Sequence, residues 1–495
     1  MSINTLKPNL LWRQFGAMNA IPRASKHENA LREYYINWVK AQNSSLNLSV
    51  KTDEIGNILI SKPATTSYEN SPKVILQGHI DMVCQKQAGS THDFSKDPIQ
   101  MQIKDGWVCA LDTTLGADNG IGVAAALAIL EDPDAKHGPL EILLTVDEEA
   151  GMGGVRGLQA NWMNGDYLIN LDSEEWGACY IGCAGGADII LTKELTFENE
   201  LQCPHSQYKY FQLSLAGLKG GHSGLDIDTG RGNANDLLAE IMADLSMHIH
   251  TRLVSFNGGT LRNALTREAL VCFAVKLDDA DKISKHIQKW TDILTKRLLD
   301  VDNSPLLELS SISPKSSLNF EQSIQIFMLL NILPHGVISR SHQIDVVETS
   351  CNMGVIKIED NKLENNLEIN LLVRSLNDAG LNQVNLLVQN ICNLNASFGI
   401  NYKLSNPYPG WDPDLNSKAL KVLTQTYHDK YKQDMQIKVI HAGLETGLIG
   451  KIYPHLQMVS FGPTITGAHS PDERVNIESV EKFYDLLKDV LARLN

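Results

Sequence analysis

Three consecutive acidic residues, Asp147, Glu148 and Glu149, stand where an apolar run ends and a glycine-rich turn begins. The run, 140–146, is typical of a buried strand. Adjacent carboxylates repel one another unless a cation lies among them, and proteins tolerate that cost where a metal ion or an acid–base function offsets it. The triplet alone is more typical of a solvated acidic loop than of a functional site, so its meaning depends on other candidate residues.

His79 and Asp81 follow a second apolar run, 74–78. In an extended chain, residues two apart point to the same side, so the Asp81 carboxylate can approach the His79 imidazole. A carboxylate in that position orients a metal-bound imidazole and raises its basicity. His-x-Asp triplets are common in proteins, and this one gains weight only beside other candidate ligands.

Two further aspartates stand at comparable places. Asp118 precedes a helical stretch, 123–130, where it would serve equally well as an N-cap, and Asp172 follows the apolar run 167–171. Strands that alternate with helices predict an α/β fold with a mostly parallel sheet and flanking helices. Ligands bind beyond the carboxyl ends of such strands. We therefore expect one group of side chains to converge at that edge: His79, Asp118, Glu148, Glu149 and Asp172.

The candidate metal ligands are two imidazoles and three carboxylates: His79, Asp118, Glu149, Asp172 and His469. Nitrogen and oxygen donors of this kind suit Zn²⁺, and also Mn²⁺ or Co²⁺. Five protein ligands are too many for one catalytic zinc ion, which keeps an open position. They suit two ions that share a carboxylate.

Length and composition predict a globular protein of more than one domain, with 495 residues of which 43% are hydrophobic. The net charge of −15 argues against a basic face for nucleic acid. We find no apolar run long enough for a membrane span and expect no signal peptide. The eight scattered cysteines match no zinc or redox motif, which predicts free thiols in a reducing cytoplasm.

The order of the predicted strands and helices changes after residue 186. A strand-helix-strand-strand-helix-strand pattern then occurs twice, with the second copy expected to begin at the strand Leu306–Ser311. This order predicts a duplicated ferredoxin-like unit of α+β type. We therefore expect an inserted domain at 187–406, within a first domain formed by 1–186 and 407–495.

Five motifs together resemble the dinuclear zinc exopeptidases, a family that includes carnosinases and tripeptidases. They are Gly78–Asp81, Gly116–Gly120, Asp147–Glu149, Asn170–Asp172 and Gly467–Glu473. Four further stretches narrow the resemblance within the family: Ile21–Arg23, Asp53–Asn57, Gly230–Asn235 and His441–Glu445. The resemblance covers nearly the whole chain. It implies a zinc exopeptidase-like catalytic domain and an inserted domain that acts as a lid and dimerisation surface.

The resemblance also implies how the metals are held. His79, Asp172 and a bridging Asp118 would bind one zinc ion, and Asp118, Glu149 and His469 the other. Two Zn²⁺ per chain are therefore expected, with Mn²⁺ or Co²⁺ as substitutes.

Catalytic and substrate-binding roles follow from the same resemblance. Glu148 would be the general base for a metal-bridging water, and Asp81 would orient His79. His222 would polarise the scissile carbonyl, in relatives from the partner subunit. Three residues would bind the rest of the substrate, namely Asn263 the carbonyl oxygen, Arg374 the C-terminal carboxylate and Glu445 the free amine.

The function implied is metal-dependent hydrolysis of dipeptides with broad specificity, including those ending in histidine, by a cytoplasmic homodimer. Two alternatives remain open. A deacylase of N-acyl amino acids would keep the metal ligands but would need no acid at Glu445. A non-catalytic metal-binding protein on this fold would lack the base or a ligand, and this chain retains all of them.

Overall fold

The computed structural model describes residues 3–302, 305–360 and 366–494. The chain forms two compact units. Unit 1 comprises Met1–Cys183, Trp411–Val439 and Leu444–Asn495, and unit 2 comprises Ala184–Gly410 and Ile440–Gly443. Each unit has an extensive apolar core of its own. Within the described ranges, no helix is both long and apolar enough to cross a membrane.

The α-helices of the described residues are, in chain order, α1 (Asn9–Asn19), α2 (Asn29–Leu46), α3 (Ala117–Glu131), α4 (Gly153–Arg156), α5 (Ala234–His248), α6 (Ala280–Arg297), α7 (Phe320–Ile332), α8 (Asp378–Leu394), α9 (Lys418–Tyr431), α10 (Glu445–Ile452) and α11 (Ile477–Arg493). The strands are β1 (Ser49–Thr52), β2 (Ile58–Lys62), β3 (Val74–His79), β4 (Met101–Lys104), β5 (Trp107–Ala110), β6 (Leu140–Thr145), β7 (Tyr167–Asn170), β8 (Ala178–Cys183), β9 (Gly185–Lys193), β10 (Tyr208–Ala216), β11 (Gly221–His222), β12 (Thr251–Gly258), β13 (Ala264–Leu265), β14 (Ala269–Lys276), β15 (Leu306–Ser311), β16 (Gly336–Arg340), β17 (Val347–Ile358), β18 (Leu367–Ser375), β19 (Asn401–Tyr408), β20 (Gln436–Ile440), β21 (Gln457–Ser460), β22 (Ile465–Thr466) and β23 (Arg474–Asn476).

The main sheet of unit 1 has the strand order β1-β2-β6-β3-β7-β21-β8-β20. Its centre is parallel, through the pairs β6–β3, β3–β7 and β7–β21. The pairs β1–β2, β2–β6 and β21–β8 are antiparallel. The α/β class is thus confirmed, although only the central strands are parallel. Strands β3, β6 and β7 are buried along their whole length, in agreement with their mainly apolar sequences.

The carboxyl ends of these three neighbouring strands carry the candidate ligands. His79 is the last residue of β3, Glu148 and Glu149 come shortly after β6, and Asp172 comes shortly after β7. Helix α3 approaches the same edge at Gly122, where a Cβ atom would lie 2.4 Å from the backbone oxygen of Leu171. A side chain at this position would push α3, and with it the N-terminal turn of the helix, away from the strand ends.

Unit 2 contains one sheet with the order β15-β10-β14-β12-β17-β18-β9-β19, and β16 pairs with β17. One half, formed by β10, α5, β12, β14, α6 and β15, has the spatial order fourth-first-third-second strand. The other half, formed by β9, α7, β17, β18, α8 and β19, repeats that order as a mirror arrangement along the sheet. The antiparallel pair β12–β17 joins the two halves. The duplicated ferredoxin-like architecture is therefore present.

One strand was assigned to the wrong copy. The strand Leu306–Ser311 was expected to begin the second copy, but it pairs with β10 and completes the first. The first strand of the second copy is β9, Gly185–Lys193, which pairs with both β18 and β19. The second copy is thus interrupted by the whole first copy, and a strand-by-strand count along the sequence does not reveal such an interruption.

We propose that the inserted domain can be removed from unit 1. Cys183 and Trp411 exchange backbone hydrogen bonds of 3.1 and 2.9 Å, so the two chain ends already lie side by side. A variant that lacks 184–410, with Cys183 joined to Trp411 by an Asn-Gly turn, should fold because unit 1 keeps its own core. Far-UV circular dichroism and a cooperative thermal transition would verify this, with the full chain as the reference. An insoluble or non-cooperative product would contradict it.

Candidate metal centre

One half of the candidate centre surrounds His79, whose side chain is only 1% exposed. Its Nε2 atom lies 3.3 Å from Oδ1 of Asp118 and 3.6 Å from Oδ1 of Asp172. These three residues can each offer one ligand atom within 4.8 Å of the others.

The other half surrounds His469, in the loop between β22 and β23. Its Nε2 atom lies 3.2 Å from Oδ2 of Asp118 and 3.2 Å from Oε2 of Glu149. Asp118, Glu149 and His469 can therefore also each offer one ligand atom within 4.8 Å of the others. Asp118 therefore directs one oxygen towards each imidazole, which is the position of a bridging carboxylate.

The charges of the cluster fit a divalent metal centre. Burial disfavours a charged His79, yet Asp172, Asp118 and Asp81 outweigh it and raise the pKa of His79 well above its usual value. Hydrogen bonds that the His469 imidazole donates to Asp118 and Glu149 raise its pKa to about 11. The carboxylates therefore stabilise positive charge placed between them. In addition, Oε1 of Glu149 is buried without a hydrogen-bond partner, and the nitrogen and oxygen donors suit Zn²⁺, Mn²⁺ or Co²⁺.

Asp81 supports both the imidazole and the acidic loop. Its Oδ1 atom lies 3.3 Å from Nδ1 of His79. The backbone N–H groups of Glu148 and Glu149 donate to its two oxygens over 3.0 and 3.1 Å, and the Ser25 hydroxyl donates over 2.7 Å. Burial would raise the pKa of Asp81, but His79 and these donors lower it to about 2. Asp81 is therefore an ionised anchor for the ligand His79 and for the Glu148–Glu149 segment.

Glu148 lies in the same cluster and belongs to neither of the two ligand groups that share Asp118. It forms a third group with His79 and Glu149 within 4.8 Å. Burial raises the pKa of Glu148 well above its usual value, and the nearby Asp172 adds to this effect while His79 opposes it.

Glu445, the first residue of α10, is buried at the parallel strands with 1% of its surface exposed. Its Oε2 atom accepts hydrogen bonds from Gln77 on β3 over 2.5 Å and from Thr145 on β6 over 2.7 Å. Its Oε1 atom is buried without a partner. Burial raises the pKa of Glu445 to about 8, and His79 acts in the opposite direction. The free oxygen gives this carboxylate the capacity to accept a hydrogen bond from a ligand.

The remaining predicted site residues lie in unit 2, and two of them converge. The backbone N–H groups of Gly224 and Leu225 donate to Nδ1 of His222 over 3.2 and 3.1 Å, so the neutral imidazole carries its proton on Nε2. Nη2 of the buried Arg374 lies 3.3 Å from this Nε2 atom. Two donors therefore face each other without an acceptor between them. Asn263 lies in an exposed loop, where its backbone oxygen accepts from Ser223 over 2.9 Å.

Sequence reasoning gave no role to Glu473, although it named the motif that contains it. Glu473 is 2% exposed and accepts four backbone hydrogen bonds from the turn that begins α3. Its Oε2 atom accepts from Leu115 and Gly116 over 2.7 and 2.9 Å, and its Oε1 atom from Ala117 and Asp118 over 2.7 and 3.2 Å. The loop that carries His469 thereby fixes the turn that carries Asp118.

Arg23 is a second buried positioning residue without a predicted role. Its guanidinium donates to the backbone oxygens of Ile80, Asp81 and Gly116 over 3.1, 3.0 and 2.7 Å. It therefore connects the segment after β3 with the turn before α3. Only membership of the motif Ile21–Arg23 pointed to this residue, because an arginine after a helix has no distinctive spacing.

This arrangement of a histidine and carboxylate centre beyond parallel strands defines the metallopeptidase class to which the motifs pointed. The chain belongs to peptidase family M20/M25/M40, whose family model matches residues 75–493. It is 45% identical to the cytosol non-specific dipeptidase of Escherichia coli (strain K12) over 494 residues, which is 99% of each chain. The family resemblance predicted from the motifs is thereby confirmed.

Solved structures agree with this assignment. The crystal structure of aminoacylhistidine dipeptidase from Vibrio alginolyticus matches with a TM-score of 0.92 and 43% identity, covering 100% of this chain and 98% of that one. The aminopeptidase PepT of Bacillus cereus ATCC 10987 matches with a TM-score of 0.56 over 99% of both chains. At 14% identity, that second likeness concerns the fold alone.

Replacing Glu473 by glutamine tests its role. The variant keeps the size of the side chain but turns one oxygen into an NH₂ group that faces two N–H donors, at a cost of about 1–3 kcal/mol for each unmet donor. We expect the affinity for Zn²⁺ to fall by about 10- to 100-fold, as for other groups that orient metal ligands. Competition with a chelating dye measures this. Asp472→Asn, at the exposed neighbouring position, should leave affinity unchanged, and equal affinities in both variants would refute the role.

Proposed function

We propose that this protein is a metal-dependent dipeptidase of broad specificity whose substrates include dipeptides ending in histidine. The observation that carries the proposal is Asp118, which directs one oxygen to each of two imidazoles beyond the parallel strands. The names of the similar Escherichia coli and Vibrio alginolyticus proteins support the same activity.

The proposed cofactors are two Zn²⁺ ions per chain, with Mn²⁺ or Co²⁺ as substitutes. His79, Asp118 and Asp172 would hold one ion, and Asp118, Glu149 and His469 the other. When bound, the ions supply Lewis acidity that polarises the substrate carbonyl and lowers the pKa of a water molecule. The grouping of these side chains within 4.8 Å supports this assignment.

Glu148 is the proposed general base. Its carboxylate would take a proton from the attacking water as the water oxygen forms the C–O bond to the scissile carbonyl carbon. It would then deliver that proton to the amine nitrogen, so that the peptide C–N bond breaks and the amine leaves. The backbone N–H of Glu148 donates to Asp81, which holds the segment beside His79. Asp81 acts through His79, whose ring it orients.

The substrate is proposed to be bound by its two charged ends and its carbonyl group. Glu445, with one free buried oxygen, accepts a hydrogen bond from the α-amine. In unit 2, Nε2–H of His222 and the amide of Asn263 donate to the scissile carbonyl oxygen. Arg374 binds the C-terminal carboxylate, since a guanidinium can donate two parallel hydrogen bonds to it.

A homodimer that forms through unit 2, located in the cytoplasm, completes the proposal. The Escherichia coli relative is a cytosol enzyme by name, which supports the compartment. Sedimentation equilibrium of the full chain tests the oligomeric state, and a single species of monomer mass at micromolar concentration would contradict the dimer.

A panel of substrates tests the function. The metal-loaded protein should hydrolyse dipeptides much faster than tripeptides or N-acyl amino acids, because a third residue displaces the carboxylate and an acyl group removes the amine. Release of free amines gives kcat/KM for each class. Faster turnover of N-acyl amino acids would favour the deacylase alternative. No turnover by the metal-loaded protein in any class would favour a binding protein.

Replacing Glu148 by glutamine separates the base from the ligands. Activity should fall by about 10²- to 10⁴-fold, the usual effect of losing a general base, while the metal content stays near two per chain. Asp118→Ala should lose metal as well as activity. Asp147→Asn removes a neighbouring acid outside the proposed ligand set and should keep most of the activity. Dipeptide turnover and elemental analysis measure these effects, and full turnover in Glu148→Gln would rule out the assignment.

A further inference from the structure

Arg374 is a buried cation without a carboxylate partner in the described part of the chain. Its side chain is 5% exposed, its Nη1 atom donates to the Tyr408 hydroxyl over 3.1 Å, and its Nε atom is buried without a partner. Asp188 is the carboxylate whose charge acts on the pKa of Arg374, but it already forms an ion pair with Arg262 over 2.6 Å. A buried guanidinium with an unused N–H group is suited to binding an anion.

His441 is a second polar side chain in this neighbourhood, and its environment keeps it neutral. It is 8% exposed. Burial, together with the nearby Arg374 and His222, lowers the pKa of His441 to about 3. The Val347 carbonyl acts in the opposite direction, although it forms no hydrogen bond of ordinary geometry with Nδ1. At neutral pH the imidazole therefore carries one proton, and the position of that proton depends on its partner Ser350.

Ser350 determines which nitrogen of His441 carries the proton. The hydroxyl lies 2.8 Å from Nε2 of His441, and this ring atom is the acceptor that the described residues offer it. Ser350 therefore donates to Nε2, which leaves the proton on Nδ1. That Nδ1 atom is buried and makes no hydrogen bond of ordinary length and angle with the described residues, the Val347 carbonyl included. Ser350 also lies directly opposite Arg374 in the β17–β18 pair, so the orienting hydroxyl and the guanidinium share one place in the sheet.

Gly224 lies beside both the backbone of His441 and the guanidinium of Arg374. A Cβ atom at Gly224 would lie 1.9 Å from the backbone oxygen of His441 and 3.2 Å from Nε of Arg374. The backbone of His441 and the guanidinium of Arg374 therefore both border this glycine. His222, two residues earlier, directs its Nε2–H towards Nη2 of Arg374.

We propose that His441 is a substrate-binding residue that donates its Nδ1–H to the same carboxylate as Arg374, with Ser350 as its positioning residue. The inference rests on the proposed dipeptidase function and names the group that the subsite selects. A free C-terminal carboxylate offers oxygen acceptors to both donors. A C-terminal amide would direct an NH₂ group at one of them, so the subsite discriminates dipeptide acids from dipeptide amides.

Two variants of His441 test this donor. A glutamine amide reaches the Nε2 position and keeps the contact with Ser350, but it has no group at Nδ1. An asparagine amide reaches the Nδ1 position and supplies the donor. For Ala-His, His441→Gln should raise KM by about 10- to 100-fold and change kcat by less than about 3-fold. The kcat/KM of His441→Gln for Ala-His amide should differ from that of the wild type by less than about 3-fold. His441→Asn should keep the preference for the acid within about 5-fold of wild type.

If kcat/KM falls equally for Ala-His and Ala-His amide in both variants, His441 has a purely structural role. If kcat and KM stay unchanged in both variants, His441 has no role in binding. Either result overturns the proposal. Selective ¹⁵N-histidine NMR gives a readout without turnover. The Nδ1–H proton of His441 should shift on addition of N-acetylglycine and should not shift on addition of N-acetylglycinamide. If wild type cleaves no dipeptide, the proposed function fails, and this titration still decides whether His441 binds a carboxylate.

Discussion

Repulsion among buried carboxylates is the constraint on which the structure of unit 1 depends. Asp118, Glu149 and Asp172 are drawn together around two imidazoles, and this cluster is stable only with positive charge between its members. The parallel centre of the sheet provides the means, because three adjacent strands end at one edge. The candidate centre thus gathers carboxylates and imidazoles in one place, which fits the divalent metal site that membership of a metallopeptidase family implies.

Hydrogen bonds between buried side chains and the backbone hold the segments of this cluster in place. Glu473 accepts four N–H groups of the turn at Asp118, and Arg23 donates to backbone oxygens on both sides of the site. Asp81 accepts the N–H groups of the acidic loop and faces His79. These hydrogen bonds connect the segments that carry His79, Asp118, Glu149 and His469 to one another. Removal of one of these hydrogen-bonding side chains is therefore expected to weaken metal binding also at candidate ligands that the removed side chain does not contact.

Much of unit 1 could be predicted because apolar runs that end in an acid or a histidine are visible in sequence, as at His79 and Asp172. The role of Glu473 could not, because it depends on four N–H groups more than 350 positions away in the chain. After β6 the chain leaves the extended conformation at Asp147, which has a φ of 55°, so Glu148 and Glu149 lie beyond the strand, as the glycine-rich sequence predicted. In unit 2 the interruption of one repeat by the other concealed the first strand of the second copy.

The candidate site residues of the two units offer opposite chemistry. The candidate centre of unit 1 is rich in acceptors, including the free buried oxygen of Glu445. The cluster of unit 2 is rich in donors, with Arg374, Nε2–H of His222 and Nδ1–H of His441 lacking an anion. A zwitterionic dipeptide, the proposed substrate class, carries a cationic amine suited to an acceptor such as Glu445 and a carboxylate suited to a donor such as Arg374. Under the proposed roles, an N-acyl amino acid would lack the first of these groups and a peptide amide the second.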